Sequence, residues 1–101
     1  MRTAPEVRRR MARKSAPSTR IVERVQTGVR IEKRLLKVLK GLAEYLDLNL
    51  GDLLEGVVLH AFEGKAPFGA ETRERIEQLK EIYGLDLEAT DSHLLREREI
   101  D

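Results

Sequence analysis

The sequence predicts a mainly α-helical fold. One short strand comes first, two helices follow, and an additional helical segment stands at the C-terminal end. Three observations carry this expectation. Residues from Arg24 to Ile31 alternate apolar and polar, with Val25, Val29 and Ile31 on one side and Gln26, Gly28 and Arg30 on the other, the period of a half-buried strand. Two later stretches carry apolar residues at helical spacing instead. No second strand signal occurs elsewhere, and a lone strand is not stable without a partner. The missing partner is therefore expected from a second copy of the chain, which makes the fold a homodimer.

Each element has its own sequence reason. In residues 32–46, Leu35, Leu36, Val38, Leu39, Leu42, Ala43, Tyr45 and Leu46 form a broad apolar stripe, while Lys33, Arg34, Lys37 and Lys40 fill much of the other face. Gly41 costs about 1 kcal/mol of helix propensity, which close packing against another helix would offset. Asp47-Leu48-Asn49 interrupts the pattern. Asn49 suits an N-cap, and Asp52 three residues on is a shortened capping-box acid. A second helix follows from about Leu50 to Phe62, its stripe made by Leu53, Leu54, Val57, Val58, Ala61 and Phe62. Residues 71–83 read as a third helix with a narrow seam of Ile76, Leu79, Ile82 and Tyr83, closed by Gly84 as C-cap. Asp91 or Ser92 is placed to cap a last turn over residues 93–99.

Charge divides the chain. The formal net charge is only +1, yet residues 1–24 hold eight Lys/Arg against two Glu, and residues 65–101 hold ten acidic groups against six basic ones. The expected organisation is a basic arm at 1–20, disordered alone, then a folded unit at 21–64, then an acidic helical extension at 65–101. A basic front points to a polyanionic partner. Arg8, Arg9, Arg10, Arg13, Lys14, Arg20 and Arg24 are the arm residues expected along phosphates, where each contact adds affinity and salt sensitivity without sequence preference.

Other function classes have little support. There is no cysteine, which excludes disulfides and thiolate metal sites. The two histidines are well separated and no glycine loop follows a strand, so no enzyme site, metal or cofactor is expected. His60, near the end of the second helix, is expected on the surface or facing the helix dipole. No apolar run approaches a membrane span, and the charged start lacks the apolar core of a secretory signal. The expected location is cytoplasmic, at the nucleoid.

Over residues 25–62 the chain resembles the ribbon-helix-helix repressors. The resemblance rests on Thr27-Gly28-Val29-Arg30-Ile31 leading directly into the first stripe, on the Asp47–Leu50 turn, and on the Leu53–Phe62 stripe. It implies that two strands pair antiparallel as a ribbon that enters the DNA major groove. It places Gln26, Gly28 and Arg30 on the base edges. Arg is suited to guanine and Gln to adenine as bidentate partners, whereas Gly28 departs from the family's polar residue there. It also implies a phosphate held at the start of the second helix by Asn49, Leu50 and Gly51, with Lys33 and Arg34 nearby. Asp52 adds a negative charge where many members carry Ser or Thr. The function implied is sequence-specific double-stranded DNA binding by a homodimeric repressor, with higher assembly on DNA open. The alternatives are an antitoxin whose residues 65–101 bind a toxin, a DNA partition protein, and a helical adaptor that binds only protein. A histone-like or helix-turn-helix arrangement would need Val25–Ile31 to be helix or loop, against its alternation.

Overall fold

The computed structural model describes residues 19–98. Three helices follow one another: α1, Lys33–Leu46; α2, Leu50–Phe62; and α3, Ala70–Tyr83. A single turn of 3₁₀ helix, Ala89–Asp91, comes after them.

Their boundaries follow from local chemistry. Glu32 begins α1 by accepting a hydrogen bond from the Leu35 N–H at 2.8 Å, although Glu is not a usual cap. Asn49 caps α2 in the same way, accepting from the Asp52 N–H at 2.8 Å. The helices end alike, each on a left-handed residue whose successor's N–H reaches back to a carbonyl of the last turn, as Leu48 N to Ala43 O (2.9 Å) and Leu85 N to Lys80 O (2.8 Å). At the ends of α2 and α3 the left-handed residue is glycine, Gly64 and Gly84, but after α1 it is Asp47 at φ 59°. Aspartate tolerates that conformation better than most side chains.

The core is small. Among the described residues Val38, Leu42, Ala43 and Leu53 are the buried apolar side chains, and Leu39, Leu46, Val57, Phe68, Ile76 and Leu79 pack around them half-covered. α2 and α3 each pack on α1 rather than on each other, with the α1–α3 contact the more extensive. Gly41 makes that contact close: a Cβ there would lie 3.0 Å from Leu79 Cδ2. The helix-weakening glycine inside α1 is thus a packing residue.

Four expectations from the sequence are corrected. The described residues contain no strand, so a ribbon-helix-helix fold with its two-stranded ribbon is not what the chain forms. Residues 19–32 are irregular and almost wholly exposed. A strand needs a ladder partner, the chain supplies none, and Gly28 adds backbone freedom without packing. The segment is tied down by arginine side chains instead of by a backbone ladder. The second correction concerns the stripe of α2. Leu53 is buried, but Val58, Ala61 and Phe62 stand on the exposed side. The third is in the seam of α3, where Ile76 and Leu79 are half-covered while Ile82 and Tyr83 lie exposed. The fourth lies at the end: the turn forms at Ala89–Asp91, and residues 92–98 are not helical. Asp91 closes that turn itself, its carboxylate accepting from the Glu88 N–H at 2.7 Å.

Two substitutions test this packing in chemical denaturation of the full chain. Leu42→Ala removes the most buried side chain and is expected to cost about 2–5 kcal/mol. Gly41→Leu forces the α1–α3 contact apart and is expected to cost about 1–3 kcal/mol. A neutral Gly41→Leu variant would mean that α3 is not seated on Gly41.

Candidate nucleic-acid interface

The basic residues expected to meet DNA divide into those held by the chain's own carboxylates and those left outward. Arg24 makes a fork onto Glu55, with Nε at 2.9 Å and Nη2 at 2.8 Å, and a longer contact of 3.2 Å to Asp52. Arg30 makes the same kind of fork onto Glu97, its Nε 3.0 Å from Oε1 and its Nη2 on Oε2. Arg34 donates to Glu32 at 2.9 Å, and to Asp86 and the Gly84 carbonyl at 3.0 Å each. Arg34 therefore fastens the start of α1 to the end of α3, where a cation also complements the helix dipole.

These pairs shift the groups in the directions expected. The hydrogen bond and charge of Arg24 hold the Glu55 carboxyl below the usual range, and Arg30 does the same to Glu97. Both arginines are pushed up in turn. Glu32 is lowered first by the Leu35 N–H that it caps and then by Arg34.

The base-reading set Gln26, Gly28 and Arg30 lies on the exposed irregular segment. A side chain at Gly28 would meet nothing within 4 Å, so the glycine there is not required by packing. The phosphate set is already partly occupied from within. Asn49 spends its side-chain oxygen on the Asp52 N–H, and Gly51 lies against that oxygen, its would-be Cβ at 3.4 Å. Leu50 is half-covered. Asp52 does not complete a capping box; its carboxylate turns to Arg24. Of the arm residues, Arg20 is exposed and Arg24 is paired, while Arg8, Arg9, Arg10, Arg13 and Lys14 lie outside the described residues.

The structure adds two residues to the candidate surface. Lys37 and Lys40 join Lys33 as an exposed stripe on α1, opposite its buried Val38 and Leu42. Lys37 Nζ sits 5.8 Å from the centre of the Tyr83 ring, a cation–π distance. The stripe is visible in the sequence as lysines at i, i+4 and i+7, a spacing that puts them on one helical face. The surface of α2 differs: it carries no Lys or Arg, and Asp52 and Glu55 face the front segment. His60 is exposed near its end, Nδ1 at 2.7 Å from the Gly56 carbonyl.

Among the described residues no group of three or more His, Asp or Glu side chains clusters as for a metal ion. No helix there is long and apolar enough to cross a membrane. No family model, curated protein or solved structure matches the chain.

The cap at Glu32 makes a pH prediction. A carboxyl lowered in the folded chain stabilises it fully above the unfolded value, about 4.3 for Glu, and that contribution is lost as pH falls through the folded value. Thermal stability should therefore fall below about pH 4.3, with Glu55 and Glu97 acting in the same direction. Glu32→Ala is expected to cost about 0.5–2 kcal/mol at neutral pH and to flatten the acid limb. An unchanged acid limb in that variant would show that the Glu32 cap does not set the acid stability.

Proposed function

We propose that the chain binds double-stranded DNA as a homodimer, acting as a repressor of transcription at the nucleoid in the cytoplasm rather than as an enzyme. The observation that carries this reading is the Lys33–Lys37–Lys40 stripe, exposed on the face of α1 away from the core and continuous in sequence with the basic front of the chain. Such a stripe suits a row of phosphates, and the exposed Arg20 is a further cation for them. Phosphate contacts position a protein without choosing a sequence, so choice falls to Arg30 and Gln26, whose side chains match guanine and adenine edges.

The homodimer is supported by α2. Val58, Leu59 and Phe62 are 44%, 61% and 81% exposed, on a helix with no basic residue to offer DNA. A largely apolar face without Lys or Arg, beside a four-residue core, suits a protein contact better than a groove of DNA. A second copy is the simplest occupant, because every copy brings the same uncovered face.

A second reading is favoured by one observation. The acidic end exposes Ile82, Leu94 and Leu95, apolar side chains set among carboxylates, which suits a basic protein partner in the manner of an antitoxin. A protein-only adaptor would lack the salt response of a DNA binder.

Fluorescence anisotropy with labelled duplexes, repeated over a salt series, separates these readings. The DNA reading predicts that log affinity falls steeply and linearly with log salt; a flat response leaves the adaptor. On a site selected from random DNA, Arg30→Ala is expected to weaken binding by about 5- to 100-fold and to relax sequence choice. An equal loss on random duplex would make Arg30 a phosphate contact only. Removing residues 1–20 should weaken binding on all sequences alike and leave a folded dimer.

A further inference from the structure

We propose that Glu97 is an internal competitor for the anion that Arg30 binds, so that the acidic end of the chain weakens DNA binding at Arg30 until DNA displaces it. The inference rests on the DNA-binding reading above and adds to it a means of control.

The geometry is that of a ligand mimic. Arg30 and Glu97 are 67 residues apart in sequence, yet the carboxylate takes two of the guanidinium's donors at once, Nε at 3.0 Å and Nη2 beside it. A guanine edge or a phosphate is bound by the same fork. Arg30 therefore serves either Glu97 or DNA at those two donors. Arg24 repeats the arrangement with Glu55 and Asp52, so two of the front segment's arginines are filled by carboxylates from later in the chain.

The pair is also placed to open. Both side chains are mainly exposed, 82% for Arg30 and 60% for Glu97, where an ion pair contributes little. Being in one chain, Glu97 needs no concentration to find Arg30. Duplex DNA answers with many charges and with counterion release. A single exposed carboxylate weakens such a competitor without blocking it.

The test uses the full chain with Glu97→Gln, and with Glu71→Gln as the same charge change at the start of α3. Binding to labelled duplex and retention on immobilised heparin are both measured. Glu97→Gln is expected to bind duplex about two- to fivefold more tightly than wild type and to elute from heparin at higher salt. Glu71→Gln is expected to move both much less. Arg30→Ala and the Arg30→Ala/Glu97→Gln double variant should bind alike, because the competitor then has nothing to hold. Equal shifts for Glu97→Gln and Glu71→Gln would overturn the proposal, as would a gain from Glu97→Gln when Arg30 is already alanine. If no form binds duplex, the DNA reading fails by itself. Heparin then decides the competition: a larger shift for Glu97→Gln supports it, and equal shifts reject it.

Discussion

Everything in this fold leans on α1. It is the one helix that touches both others, and three of the four buried apolar side chains, Val38, Leu42 and Ala43, belong to it. Its length is set by Glu32 at one end and the left-handed Asp47 at the other. Its close approach to α3 is eased by the glycine at position 41, where a Cβ would press on Leu79 Cδ2 at 3.0 Å. Arg34 ties the same two helices at their ends through Asp86 and the Gly84 carbonyl. With α1 satisfied in this way, α2 is the element left short of partners. It contributes Leu53 to the core and turns Val58, Leu59 and Phe62 outward. So few buried side chains give a marginal single chain, and that shortage is the physical basis for proposing a second copy.

Charge does the complementary work. The segment before α1 is far in sequence from the carboxylates it meets, and the fold brings Arg24 into direct contact with Glu55 of α2 and Arg30 with Glu97 of the acidic end. Where the sequence suggests a backbone ladder for residues 24–31, the structure offers side-chain forks. The two solutions differ in consequence. A ladder fixes every residue of a segment, whereas two exposed forks fix two points and leave Gln26 and Gly28 between them unconstrained. A segment held at two exchangeable points suits a surface that must release internal partners to accept an external one.

Much of the helical part is legible in the residues themselves. The apolar period, Asn49 as a cap, and Gly84 as a stop are local signals, and local signals set the bounds of α1, α2 and α3 to within a residue or two. Gly41 is readable for the same reason, since a glycine inside a strong helical pattern implies close packing. The front segment is not legible, because period-two alternation reports which faces differ and not whether a ladder partner exists. Nor is the division of α2, whose stripe is apolar enough for both a core face and an uncovered face. The arginine forks are invisible to any local pattern: Arg30 and Glu97 lie 67 residues apart, with all three helices between them. The lysine stripe lay open in the spacing of Lys33, Lys37 and Lys40, where a solvated helix face and a phosphate surface look alike.

The central claim is that one chain does not complete its own apolar surface and that a second copy covers the outward face of α2. Sedimentation equilibrium of the full chain over a wide concentration range tests it most directly, compared with Leu59→Glu. The expected result is a mass of twice the 11.6 kDa chain for the wild type, falling to the single-chain mass when Leu59 is charged. A wild-type mass of one chain at all concentrations, with unfolding equally cooperative in both forms, would contradict it.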